Sequence, residues 1–217
     1  MDWFLLRHGE STANADQRLQ GQQDAPLSPI GRGQARAVGL WCRNSGLQWR
    51  RVYVSPLQRA RETASLLIAA MESEPELAVC EELCEIGAGD LEGHTVEELR
   101  ERFPEFRSGP ITEYADFSRF GGESYEQVQG RVAQLYDRIR HDCRSAQETV
   151  LLVAHGGLIR QVVKYLVTNP VPSVVSLKTS NCALTRIAVR ETETRTRGEL
   201  VWHVPFDLMV RQTLGGQ

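Results

Sequence analysis

Trp3-Phe4-Leu5-Leu6-Arg7-His8-Gly9-Glu10-Ser11 opens the chain with an apolar run that stops at a cation, a histidine and a glycine. The run Trp3 to Leu6 reads as a short strand, which would hold the residues at its end rigidly. Gly9 lets the backbone turn sharply there or approach a ligand with no Cβ in the way. Arg7 is permanently charged and carries a planar fork suited to phosphate. The hexamer Leu6 to Ser11 taken alone reads equally well as a histidine packed at a strand end beside a surface arginine.

The second decisive stretch lies far downstream. Thr149 to Ala154 is an unbroken apolar run, the pattern of a strand buried on both faces, and His155-Gly156-Gly157 follows at once. Between these stretches, helical and strand patterns alternate. Ser28 is a cap with Pro29 at the first helical position, and the helix continues through Val38 and Trp41 towards Asn44, with Gly46 as its stop. Val52 to Val54 is a second strand, followed after Ser55-Pro56 by a helix carrying Ala60, Ala64, Leu67 and Ile68. Leu77 to Cys80 is a third strand, and the acidic, glycine-containing stretch Glu81 to Gly93 reads as a loop. Thr95 to Phe103 is a short helix ended by Pro104, and Phe106 to Gly122 is aromatic without a clear period. Ser124 with Gln127 makes a capping box for a long helix running to Cys143. A helix from Leu158 to Leu166 follows, then two strands, Cys182 to Val189 and Leu200 to Val204, around a charged hairpin.

This alternation predicts a three-layer α/β/α sandwich with a mainly parallel central sheet. The 217 residues fit one domain, with residues 95–123 as a lid-like insertion. A net charge of −3 disfavours a nucleic-acid partner. No apolar stretch is long enough to span a membrane and no basic leader precedes the first strand, so the cytoplasm is the expected compartment. The five cysteines are odd in number, scattered and without zinc spacing, so they read as reduced thiols. No metal or cofactor is expected.

Ligands of parallel sheets bind beyond the carboxyl ends of the strands. That rule selects Arg7-His8-Gly9, Ser55 to Arg59, Glu81 to Glu85 and His155-Gly156. If the strands are neighbours, two histidines and two arginines, Arg7 and Arg59, meet around one point. Such a group suits a tetrahedral dianion, because each guanidinium can donate paired charge-assisted hydrogen bonds.

The ordered segments Leu6-Arg7-His8-Gly9-Glu10-Ser11 with Asn14, Gln20-Gly21, Pro26-Leu27-Ser28, Ser55-Pro56-Leu57-Gln58-Arg59-Ala60, Leu83-Cys84-Glu85-Ile86 with Glu92-Gly93, Gly121-Gly122-Glu123-Ser124 and Ala154-His155-Gly156-Gly157 resemble the histidine phosphatase superfamily, the phosphoglycerate mutase-like proteins. The resemblance runs from residue 3 to about residue 187. It implies that His8 attacks phosphorus and becomes a phosphohistidine, while Arg7, Arg59 and His155 hold the non-bridging oxygens. Arg61, two residues beyond Arg59, competes for the second arginine role. Glu85 is implied as the general acid and then base, with Glu82 as runner-up within the crowded Glu81, Glu82 and Glu85. Asn14, Gln20, Gly21 and Gly156 match positions that line the phosphate pocket. His94, His141 and His203 have no motif around them and read as structural or solvated.

The implied substrate is a small phosphomonoester. Hydrolysis is favoured over a mutase reaction, because residues 95–122 are short and aromatic and the arginines at 100, 102, 107 and 119 are not adjacent. A phosphoglycerate mutase-type phosphotransferase and a non-catalytic phosphate-binding protein on the same fold stand as alternatives. Homodimers are common in the family, which leaves a homodimer open as the assembly.

Overall fold

The computed structural model describes residues 1–107, 111, 116–143, 145, 147–167, 177, 179–191 and 196–214. Six strands form one sheet: β1 Asp2–Arg7, β2 Arg51–Val54, β3 Glu76–Val79, β4 Thr149–Ala154, β5 Leu184–Glu191 and β6 Thr196–Val204, in the order β3-β2-β4-β1-β5-β6. The first four are mutually parallel and the last two antiparallel, so the sheet is mainly parallel as expected. β4 lies between β2 and β1, which explains its continuous apolar sequence: every residue after Thr149 is buried.

Alternation along the strands separates two cores. Trp3, Leu5, Tyr53, Val150 and Leu152 face one side, where they meet Leu135 and Ile139 of α5 (Tyr125–Asp142) and Leu158 and Val162 of α6 (Gly156–Val167). Phe4, Leu6, Val52, Val54, Leu151 and Val153 face the other. There they pack on Val38 of α2 (Pro29–Asn44), Leu67 of α3 (Gln58–Met71) and Met209 of α7 (Phe206–Leu214). The result is the three-layer sandwich. A third apolar cluster, Ile86, Ala88, Leu91, Leu99, Phe106, Ile111, Phe117 and Val128, stands apart from both faces of the sheet and includes α4 (Val96–Arg102). Phe106, Phe117 and Phe120 of the aromatic segment pack there, while Tyr114 lies outside the described residues.

Local signals set the helix ends. The Ser28 hydroxyl accepts from the Gly31 amide with Pro29 in the first turn, and Ser124 and Gln127 form the expected reciprocal box. Several elements depart from the sequence reading. The stretch Arg7 to Pro26, read as loop, contains α1 (Thr12–Ala15), closed by a capping box between Ser11 and Asn14. The third strand begins one residue early at Glu76, and β6 starts at Thr196 rather than Leu200. Glu81–Leu83 and Gly89–Leu91 are 3-10 turns inside the expected loop. α7 was not legible as a helix at all. α6 begins at Gly156, two residues before Leu158, although glycine pairs oppose helix by propensity. Its first turn is capped from far away in the chain, by Glu85. All five cysteines are free thiols.

Candidate active site

The register places the predicted residues. Arg7 pairs with Ala154 across the β1–β4 ladder and Val54 with Val153 across β2–β4, so His8, Ser55 and His155 leave three adjacent strand ends together. The His8 and His155 rings lie 5.1 Å apart between centroids. Gly9 permits the turn that follows His8, since a Cβ there would meet the Gly31 carbonyl oxygen at 2.5 Å.

His8 is buried, and its Nδ1 lies 2.6 Å from the Gly9 carbonyl oxygen. Only a protonated Nδ1 can make that bond, which leaves the lone pair on Nε2. Burial, then the charges of Arg7 and Arg59, hold the ring well below the usual histidine value, so it is neutral at neutral pH. His155 is fully buried with both nitrogens engaged: Nδ1 accepts from Arg59 Nε at 3.2 Å, and Nε2 lies 2.8 Å from the Ser55 hydroxyl. That pattern fixes the neutral tautomer with the proton on Nε2, and burial followed by Arg59 lowers its pKa in the same direction. An added phosphate oxygen would therefore have to displace one of these two partners to bond the ring of His155.

Arg59 sits in the first turn of α3 and is 1% exposed. Its Nη1 and Nη2 donate to the carbonyls of Gln23 and Gly21 at 2.7 and 2.8 Å. Those bonds and the one to His155 use three of five N–H groups, leaving two for a ligand. Arg61 instead lines a separate surface groove with Arg32, Arg36 and Leu77, so of the two it is Arg59 that lines the cleft. Arg7 donates from Nη1 to the Thr179 carbonyl at 2.6 Å, and its Nε is buried without a partner among the described residues. Burial brings its pKa down to about 10, which still leaves it charged at neutral pH.

Glu85 reaches the N-terminus of α6. Its carboxylate accepts from the amides of Gly157 at 3.0 Å, Leu158 at 2.9 Å and Ile86 at 3.0 Å. A Cβ on residue 157 would stand 2.6 Å from Glu85 Oε1, so the glycine makes room for this seat. Glu82 points elsewhere, to Arg138 at 3.0 Å and to the Cys80 thiol at 3.0 Å, and is not part of the cleft. Of the two glutamates weighed for the acid, the structure thus brings Glu85 and not the runner-up Glu82 to the cleft. Burial opposes it, but these bonds and the arginine hold the Glu82 carboxyl below its usual value.

Arg7, His8, Asn14, Gln20, Gly21, Arg59 and Glu85 line the floor of one cleft of about 350 Å³. Asn14 is fixed by the Asn181 side chain at 3.1 Å, and Gln20 accepts from the Ser11 hydroxyl at 2.8 Å. Gly156 is not among the residues that line the cleft; a Cβ there would come 3.1 Å from the Thr179 hydroxyl and only into ordinary contact with Arg7. The upper wall is apolar, from Leu19, Ile86, Ala88, Val96, Ile111 and Phe117. Arg18, Arg100 and Arg160 also line it, and sequence reasoning assigned none of them to the site. His94 and His141 stand near Glu98 and Asp142, and His203 bonds Thr185, all away from the cleft.

A family model described as the histidine phosphatase superfamily (branch 1) matches residues 3–199. The chain belongs to that superfamily. Among its relatives, the 2,3-bisphosphoglycerate-dependent phosphoglycerate mutase of Methylorubrum extorquens (strain PA1) is 31% identical over 175 residues, 80% of this chain and 82% of that one. A mycobacterial glucosyl-3-phosphoglycerate phosphatase, solved in complex with VO3, superposes with a TM-score of 0.76 at 30% identity over 93% of this chain and 98% of its own. The phosphoglycerate mutase of Bacillus anthracis superposes with a TM-score of 0.79 over 98% of this chain and 96% of its own, at 22% identity, a likeness of fold. Among the described residues, no helix is long and apolar enough to cross a membrane.

The two neutral histidines make stability depend on pH. Folded, both rings protonate well below 6.5, whereas in the unfolded chain they do so near 6.5. The unfolded chain therefore binds more protons below that value, so this contribution is complete above about pH 6.5 and declines as the pH falls. Each ring contributes at most about 1.4 kcal/mol per pH unit. In urea melts between pH 7 and 5, His155→Gln is expected to lose part of the wild-type slope; an unaltered slope would refute the buried neutral assignment.

Proposed function

We propose that this protein is a phosphomonoester hydrolase working through a phosphohistidine on His8. The observation that carries the reading is the Nδ1 bond to the Gly9 carbonyl, which reserves Nε2 of a neutral ring for attack beside the half-buried Arg7 and the buried Arg59. Arg7 and Arg59 retain unused N–H groups for the phosphoryl oxygens and the charge that grows on them in the transition state. Glu85, held by three backbone amides, in its carboxylic acid form gives its proton to the departing oxygen as the P–O bond breaks, and the carboxylate left behind takes a proton from the water that attacks the phosphoenzyme. Its seat beside α6 suits the second of these roles directly, since a carboxylate with fixed geometry is a ready acceptor for a water proton. The described part of residues 95–123, through Val96, Ile111 and Phe117, shares an apolar wall with Leu19 and Ile86 and acts as a lid over the leaving group.

A mutase reading draws support from one observation. Arg18, Arg100 and Arg160 add three cations to the lining of the cleft, the kind of field that would keep a carboxylated monoester in place. The two readings separate on the acceptor. A hydrolase is expected to release inorganic phosphate from aryl and sugar phosphomonoesters at a rate that added 2,3-bisphosphoglycerate does not raise. A primer-dependent exchange between 3- and 2-phosphoglycerate would support the mutase instead, and no turnover with either would indicate a phosphate-binding protein.

A further inference from the structure

The motif Gly121-Gly122-Glu123-Ser124 has no part in the chemistry above, yet its glutamate is among the most heavily bonded side chains near the cleft. Glu123 accepts from Arg131 Nε at 3.0 Å and Nη2 at 2.8 Å, from the Gly87 amide at 2.7 Å and from Gln22 Nε2 at 3.3 Å. Its own backbone amide donates to the Gly87 carbonyl at 2.9 Å, and its carbonyl accepts from Phe117 at 2.8 Å. Gly122 is needed for this approach, because a Cβ there would stand 2.3 Å from the Gly87 carbonyl oxygen.

Arg131, one helical turn and a half into α5, completes the arrangement. Nη1 donates to the carbonyls of Glu82 at 3.0 Å and Cys84 at 2.6 Å, and Nη2 to the carbonyl of Glu85 at 3.4 Å. With the two bonds to Glu123, its three nitrogens make five contacts, as many as the guanidinium has N–H groups. Both side chains are largely withdrawn from solvent, at 15% and 21% exposure. Gln22, next to the cleft residue Gly21, adds a bond to the Glu85 carbonyl at 3.1 Å. The backbone of residues 82–87, which carries Glu85, is thus held by one arginine, one glutamate and one glutamine from three other segments.

We infer that the Glu123–Arg131 pair is the positioning device for Glu85, setting the height of its carboxylate above the phosphoryl floor and tying it to the Phe117 wall. The inference rests on the role proposed for Glu85. Neither member touches the reacting atoms, and neither lines the cleft. Lysine could not replace Arg131, since one ammonium with three donors cannot span a carboxylate and three carbonyls. Surface pairing would not explain the pattern, because most of the bonds run to main-chain atoms of the segment that bears Glu85.

The readout is dependence on the leaving group. An aryl phosphate departs with little help from an acid, whereas an alkyl phosphate needs the proton. Arg131→Lys and Glu123→Gln, each checked for a native melting transition, are expected to lower kcat on an alkyl phosphate by about 100-fold, the scale of a misplacement near 1 Å. On an aryl phosphate the loss should stay below about tenfold, with KM nearly unchanged on both. In a Glu85→Gln background the second substitution should add little, because the residues act as one unit. Equal losses on the two substrates, or losses that multiply with that of Glu85→Gln, would overturn the inference and leave the role of Glu85 standing. Should Arg131→Lys fail to fold, Glu123→Gln alone decides. A Glu85→Gln enzyme that treats both substrates alike would overturn the role of Glu85 and this inference with it.

Discussion

His8→Ala is expected to lose phosphomonoester hydrolysis by about four orders of magnitude or more, as removal of a covalent nucleophile does elsewhere. Among the described residues no neighbour can take over. The second histidine has Nδ1 committed to Arg59 and Nε2 to Ser55, and the described residues lining the cleft include no serine, threonine or cysteine. Binding should survive, because Arg7 and Arg59 keep their own anchors, the carbonyls of Thr179, Gln23 and Gly21. Inorganic phosphate or vanadate is therefore expected to bind the variant within a few-fold of the parent protein. Steady-state assays on an aryl phosphate, with calorimetric titration of phosphate, separate the two quantities. Retained turnover would contradict the nucleophile; lost turnover together with lost binding would point to a collapsed site.

Arg59→Ala is expected to have the next largest effect, about 10²- to 10³-fold in kcat, the usual cost of removing one donor that meets transition-state charge. It should also destabilise the protein. Substitution leaves the carbonyls of Gln23 and Gly21 and the Nδ1 of His155 without their donor, at about 1–3 kcal/mol for each group that stays buried. Arg59→Lys keeps the charge but not the fork, so it should recover little of either loss. Arg61→Ala is the matched control. Two helical positions place the two side chains about 200° apart around α3, one in the cleft and the other in the separate groove. Its kcat should be unchanged; a loss there equal to that of Arg59→Ala would reverse the assignment.

The elements that carry the site were legible because their signals are local. β1 and β4 are runs whose burial follows from composition alone, and the polar residues that end them had to emerge at the carboxyl edge of a parallel sheet. Ser28-Pro29 and the Ser124–Gln127 box are complete within four residues, so the helices they start were readable without tertiary knowledge. The choice between Glu82 and Glu85 was of a different kind. It depends on the 3-10 turn Glu81–Leu83, which directs Glu82 to Arg138 on α5 while the chain beyond it delivers Glu85 to α6. Acidic residues in a row carry no mark of which one faces inward.

Arg131 was unreadable for a related reason. An arginine on an amphipathic helix has the sequence signature of a solvated face, and only the fold brings it beneath three carbonyls from residues 82 to 85. The same holds for Arg18, Arg100 and Arg160, which reach one cleft from α4, α6 and the loop after α1. The early start of α6 belongs here too, since the carboxylate that caps it comes from more than seventy positions away in the chain, as the Glu85 bonds to Gly157 and Leu158 show.

The most direct test of the central claim is to trap the intermediate. The protein is mixed with a phosphomonoester under turnover, quenched in alkali to protect an acid-labile phosphoramidate, digested, and the modified residue located by mass spectrometry. The predicted result is a phosphoryl group on His8, at Nε2, that appears within the first turnover and is absent from His8→Ala. Turnover with no adduct at His8, or an adduct on another residue, would contradict the account.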